Sequence, residues 1–161
     1  MKIRLATKDD LQEMKNIFDY GRQIQLESGN PTQWAQGYPK VELILDDIEK
    51  EAAHLCIDEN NEIVALFSVF TDPDPTYQEI EGAWLNNEAY ATIHRIASSG
   101  KVPGVGQHCI EWVQNIYDNV RIDTHEENKQ MKHILGKLNF QYCGIIYLEN
   151  GEARNAYHYE K

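Results

Sequence analysis

The chain has 161 residues, 42% of them hydrophobic and 25% charged, a size and balance that suit one domain able to bury its core without metal or disulfide support, with the cytoplasm as its default location. A formal net charge of −11 argues against broad nucleic-acid contact, which depends on Lys and Arg neutralising phosphates; no apolar run is long enough to cross a bilayer, and the N-terminus lacks the apolar region of a secretory signal. Cys56, Cys109 and Cys143 are odd in number and form no CxxC pair, so neither a disulfide framework nor a zinc site is expected and all three read as small buried hydrophobes.

Residues 2–6 (KIRLA) alternate apolar and polar as a strand does, and Thr7 followed by Asp10 marks a helix start. Leu11, Met14, Ile17, Phe18 and Ile24 recur at three- and four-residue spacing, which predicts an amphipathic helix over about 8–26. The stretch SGNPTQWAQGYP (28–39) is a loop whose Trp34 and Tyr38 either cap the core edge or wall a pocket. Val41, Leu45 and Ile48 then define a short second helix with its acids on a solvated face. Residues 53–58 and 62–70 read as a hairpin turning at Glu59, Asn60 and Asn61. Two prolines and several acids make 71–89 an irregular excursion near a functional edge, after which 90–98 is strand again.

Next comes SSGKVPGVGQHCIEWV (98–113), a glycine-rich loop feeding a helix over about 105–118 with Val105, Cys109, Trp112, Val113 and Ile116 on its apolar face. Gly104 and Gly106, with Gly100 upstream, suit a backbone that approaches a ligand closely or adopts angles forbidden to a side chain. Strand, glycine loop and helix together aim amides and the positive end of a helix dipole at an anion. The expected guest is phosphate, held by local dipoles because the overall field repels it. The loop lacks the GK-Ser/Thr ending of a Walker A motif and the third glycine of a dinucleotide fingerprint. Residues 120–125 form a further strand and 126–139 a fourth helix carrying Met131, Ile134, Leu135 and Leu138. A hairpin, 140–148 and 153–160, closes the chain around ENGE. No repeat or linker divides it, so 1–161 reads as a single α/β (mixed α+β) domain with one sheet.

The segment KVPGVG (101–106) is similar to the pyrophosphate loop Q/R-x-x-G-x-G/A of the GNAT N-acetyltransferases, with Lys101 where that family usually has Gln or Arg. The similarity covers most of the chain: N-terminal strand and paired helices, hairpin, HRIA strand, loop and helix. It ends on DTHEENKQMKHILGKLNF (123–140), which resembles the family's N-x-x-A-x-x-L-Y-x-K-x-G-F segment. Asn128 and Phe140 match, Met131 takes the small-residue place, and Asn139 replaces Gly. The resemblance implies a mostly antiparallel central sheet with one splayed parallel strand pair, flanked by about four helices. It also implies an acetyl-CoA-dependent N-acetyltransferase that needs no metal and acts on a primary amine of a small molecule or peptide. Acyl-coenzyme A would lie between strands 90–98 and 120–125. The backbone of Ile96, Ala97 and Ser98 would hold the pantetheine arm, and Lys101, Val102, Pro103, Gly104, Val105, Gly106 and Gln107 the pyrophosphate. Asn128 and Met131 would face the cofactor from the other side. The place of Leu135 commonly holds a Tyr that protonates the departing thiolate; Leu cannot, but a thiol of pKa about 8.5 leaves readily and solvent can protonate it.

Direct transfer needs a neutral amine, so an ammonium must lose a proton. His94 and His125 are candidates for the base because imidazole titrates near neutrality; the alternative for each is a hydrogen-bonded structural histidine. Glu81 is a third candidate, as base or as holder of a cationic substrate. Asp72, Asp74, Glu79, Glu81 and Glu88 suit a mouth that attracts ammonium groups, with Trp34, Tyr38 and Trp84 as its apolar wall. Two other readings stay open: a catalytically inactive acyl-CoA-binding module, and a flavin or nucleotide binder. A homodimer is a candidate assembly.

Overall fold

The protein is described by a computed structural model covering residues 1–31 and 33–161. Its elements are β1 (Lys2–Leu5), α1 (Leu11–Glu27), α2 (Val41–Glu49), β2 (Ala53–Ile57), β3 (Ile63–Phe70), β4 (Glu81–Gly82), β5 (Ala91–Ser98), α3 (Val105–Ile116), β6 (Asn119–Thr124), α4 (Lys129–Lys137), β7 (Gln141–Tyr147) and β8 (Ala153–Glu160). The eight strands make one sheet in the order β1-β2-β3-β5-β6-β8-β7-β4. It is mostly antiparallel, with β5 and β6 as the parallel pair. Strand β4, inside the stretch read as irregular, pairs with β7 through Glu81 and Gly82 alone. Two residues are too few to leave an alternating pattern.

The chain divides into two compact units, residues 1–69 with 94–110 and residues 70–93 with 111–161. In the first, Met14, Ile17, Phe18, Trp34, Ile44, Ile48, Leu55 and Leu66 are the buried centre. Thr7 and Asp10 mark a 3-10 turn over Lys8–Asp10, and α1 itself begins three residues later than the sequence pattern suggests: the Thr7 amide donates to Asp10 Oδ2 at 2.8 Å, and Arg4 grips the same carboxylate with both terminal nitrogens at 2.9 Å. Helix α2 corrects the expectation of a solvated acidic face. Ile44, Asp47 and Ile48 share its buried side, as the 3.6-residue period requires, and Asp47 is 3% exposed. Its carboxylate is satisfied there by Ser68 Oγ, which donates to Oδ2 at 2.8 Å, and by Arg95.

In the second unit Tyr77, Ile146 and Ala156 are buried, with Ile80, Trp84, Tyr90 and Leu148 packed against them. Gly144 has φ +141, and a Cβ there would lie 2.1 Å from the Glu81 carbonyl oxygen, so the β4–β7 approach depends on glycine. The turn that follows α4 holds Asn139 at φ +66, with the Phe140 amide donating to Leu135 O at 3.0 Å. Asn tolerates the left-handed conformation better than other side chains, which explains its presence where the resembling motif has Gly.

Candidate active site

Strand β5 runs into a loop whose geometry is set by two glycines. Gly100 has φ +78, and the Tyr20 hydroxyl would be 2.3 Å from a Cβ added there. Gly104 has φ +75. Its carbonyl receives the amide of His108 at 3.1 Å, so the amides of Val105 and Gly106 precede the helical ladder of α3, at the positive end of its dipole. The Val105 side chain is buried and pins this first turn. Gly106 is helical, and a Cβ on it would meet nothing within 4 Å. Neither backbone angle nor packing requires glycine there; the backbone simply lies bare beside open space, which suits a diphosphate that must come close to amides. Lys101 is exposed, with Nζ 3.6 Å from Glu62 Oε2. Pro103 has no amide hydrogen, so it shapes the loop without donating. On α3, Cys109, Ile110 and Val113 are buried while Ile116 is exposed, a correction at the helix's last residue.

Within the same unit Arg95 stands at φ +54 in the middle of β5, a conformation uncommon for a residue with a side chain. Its guanidinium is held by Asp47 through Nε to Oδ2 at 2.7 Å and Nη2 to Oδ1 at 2.9 Å, and Nη1 reaches Tyr38 Oη at 3.4 Å. The Tyr38 carbonyl in turn accepts from Arg22 at 2.9 Å. Trp34 is buried, with its ring centre 5.7 Å from that of Phe18 and 6.1 Å from that of Tyr38. Gly21 makes room for both Ala97 and Trp34, since a Cβ on it would lie 3.3 Å from each. Trp34 thus sits in the core and Tyr38 is half-buried beside Arg95, while His94, Ile96 and Ser98 are half-buried along the strand.

In the second unit His125 directly follows β6, and its Nδ1 accepts the Glu127 amide at 3.0 Å. That leaves the neutral ring's proton on Nε2. Burial, then the charge of Arg154, lowers its pKa. Asn128 caps α4, with Oδ1 accepting the Met131 amide at 3.1 Å. Leu135 is fully buried. Glu81 is exposed on β4 and accepts from Tyr147 Oη at 3.0 Å. Trp84 is half-buried; its Nε1 donates to Tyr77 O at 3.0 Å and its face lies 4.3 Å from the Arg121 guanidinium carbon. Sequence reasoning did not single out the buried or half-buried polar contacts of Arg95, Arg121, Tyr77, Asp123 and His158, which no local pattern distinguishes from ordinary strand and loop residues. Burial, then the neighbouring Cys56, drives the Cys109 thiol far above its ordinary pKa, which removes it as a nucleophile. Among the described residues no group of three or more His, Cys, Asp or Glu could hold a metal ion, and no helix is long and apolar enough to cross a membrane.

A scan against protein-family models finds no match, and a search of curated proteins finds none either. Solved structures do match. A GNAT-family acetyltransferase from Streptococcus agalactiae is 32% identical, covering 99% of this chain and 95% of its own, with a TM-score of 0.89. The chain belongs to the GNAT acetyltransferase family. Membership places it among acyltransferases. Two more distant GNAT-fold structures share the fold. An acetyltransferase from Listeria monocytogenes is 19% identical over 99% of this chain and 94% of its own, with a TM-score of 0.75. The NatC complex bound to Gag peptide and CoA has a chain 12% identical over 100% of this chain and 99% of its own, with a TM-score of 0.65. This GNAT member departs from the motifs it resembles at Lys101, Met131, Leu135 and Asn139. Of these, Asn139 has a backbone reason, its positive φ.

Proposed function

We propose that this GNAT protein transfers an acetyl group from acetyl-coenzyme A to a primary amine of a small molecule or peptide. The observation that carries the reading is the start of α3, where Gly104 at φ +75 turns the chain and bare Gly106 leaves open space beside the first-turn amides. Amides of Lys101, Val102, Gly104, Val105 and Gly106 would take the diphosphate, with Gln107 beside them, and the backbone of Ile96, Ala97 and Ser98 the pantetheine arm. When bound, acetyl-coenzyme A supplies an activated thioester. The chain's own part is to orient it and to receive the proton that an ammonium must shed. His125, whose pKa burial lowers, and His94 are the groups proposed for that task, with Asn128 and Met131 as further proposed cofactor contacts. Peptides stay among the acceptors because the NatC complex is named with a peptide and CoA.

The fully buried Leu135 offers no acid to the leaving sulfur, so solvent protonates it. This is also the observation that favours the second reading, an acyl-CoA-binding module without turnover. Incubation with acetyl-coenzyme A and a panel of amines, polyamines, amino acids and peptides separates the two. Amine-dependent release of free thiol is expected; binding of the thioester with no release across the panel would overturn the enzymatic reading.

A further inference from the structure

The register of β6 puts its single carboxylate, Asp123, in an unusual setting. The parallel β5–β6 register consists of Ala91 opposite Val120 and Thr92 opposite Arg121. Asp123 stands two residues beyond the end of that register. Side chains alternate along a strand, so Asp123 faces the same side as Arg121. Tyr77, Trp84 and Tyr90 cover that side: Arg121 has its guanidinium carbon 4.3 Å from the Trp84 ring centre and 4.0 Å from that of Tyr90, and Tyr77 reaches Asp123.

Asp123 is half-buried, and its Oδ2 accepts from Tyr77 Oη at 2.6 Å. Tyr77 is 2% exposed, with its ring centre 5.0 Å from that of Trp84 and 6.3 Å from that of Tyr90. The hydroxyl is therefore fixed in direction, and burial, then the Asp123 charge, holds its pKa well above the ordinary value, so it remains a donor. Several carboxylates of the chain meet cations, among them Asp10 with Arg4, Asp47 with Arg95, Glu126 with Lys132 and Glu152 with Arg154. Asp123 meets none among the described residues, and its Oδ1 takes no hydrogen bond from them. A carboxylate partly withdrawn from water and aimed by a buried phenol is set up for a cation supplied from outside the chain.

We propose that Asp123, oriented by Tyr77, receives the positively charged amine of the acceptor, so that the acceptors of this enzyme are cationic amines. The proposal rests on the acyl-transfer reading above. Asp123 holds and positions the ammonium; the proton lost before attack goes to the base or to water, so the effect falls on acceptor binding. The net charge of −11 draws such acceptors in.

The test compares Asp123→Asn, which keeps an oxygen for the Tyr77 hydroxyl, with Glu149→Gln, which removes an equal charge from the β7–β8 turn. For Asp123→Asn the KM of the best amine should rise about tenfold or more while the KM of acetyl-coenzyme A stays at the wild-type value. The increase of the amine KM with ionic strength should flatten in this variant and persist in Glu149→Gln. Should Asp123→Asn fail to fold, Tyr77→Phe carries the same readout, with a several-fold rise in the amine KM alone. An amine KM and salt dependence equal to those of Glu149→Gln would overturn the role of Asp123 and leave acyl transfer standing. Absence of amine-dependent thiol release from the wild type would overturn both.

Discussion

Asp47→Ala is expected to lower the unfolding free energy by about 3–5 kcal/mol, the cost of leaving one partner of a buried ion pair uncompensated. The side chains of Arg95 and Asp47 are 13% and 5% exposed, so water can do little for the guanidinium once the carboxylate is gone. The loss is compounded because Ser68 Oγ also loses its acceptor and because Arg95 is held at φ +54, a conformation that costs of order 1–3 kcal/mol and needs its surroundings to persist. Replacing both charges, as Asp47→Leu with Arg95→Met, should recover much of the stability, since an apolar pair of similar volume is often as stable as a buried ion pair. Urea denaturation of the two variants checks this. A double variant no more stable than Asp47→Ala would mean that the pair itself, rather than an orphaned charge, holds α2, β3 and β5 together. Because Arg95 lies between His94 and Ile96, the single variant should also weaken coenzyme A binding.

Acidification is expected to destabilise the protein by up to about 3 kcal/mol through His158 alone. His158 is fully buried. Its Nδ1 accepts the Leu85 amide at 3.2 Å and its Nε2 donates to Asn119 Oδ1 at 2.9 Å, a pattern only the neutral ring can make. Burial, then the charge of Arg121, pushes its pKa down to about 4, against a smaller opposing pull from Glu160. Trp84 packs edge-on against it. A folded pKa below the unfolded one means that the unfolded chain binds the proton more tightly. The contribution is therefore complete above about pH 6.5 and shrinks as pH falls towards 4. A His158→Gln variant should show a shallower loss of stability between pH 7 and pH 4.5 in urea denaturation. Equal pH slopes in the two proteins would show that the ring is not held neutral by the fold.

Most of the fold could be read from the chain. The stripe Met14, Ile17 and Phe18, the hairpin around Asn61 at φ +63 and the glycine loop before α3 each carry a local signal that the folded protein keeps. Local signals are also where sequence reading stops. Asp47 looked like one more acid on a charged helix because its partner, Arg95, lies 48 residues away. Tyr77 and Asp123, 46 residues apart, are joined only by the register of β6 and the path of residues 71–89. His158 could not be distinguished from an alternating strand residue until Leu85 and Asn119 were placed against it. On the site itself, the loop glycines were legible through backbone chemistry, whereas Trp34 left two readings open because burial depends on what packs against it.

The central claim is that backbone amides at the start of α3 grip the diphosphate of coenzyme A in a molecule whose net charge would repel it. The measurement that bears on it most directly is a calorimetric titration of coenzyme A into the wild type and Gly106→Val. Valine is no worse than glycine in a helix, and its Cβ would meet nothing of the protein within 4 Å, so the variant should unfold at the same urea concentration as the wild type. Binding by the wild type together with at least a tenfold loss of affinity in the variant, about 1.4 kcal/mol or more, is the predicted result. Equal affinity in both folded proteins, or no binding by the wild type, would contradict it.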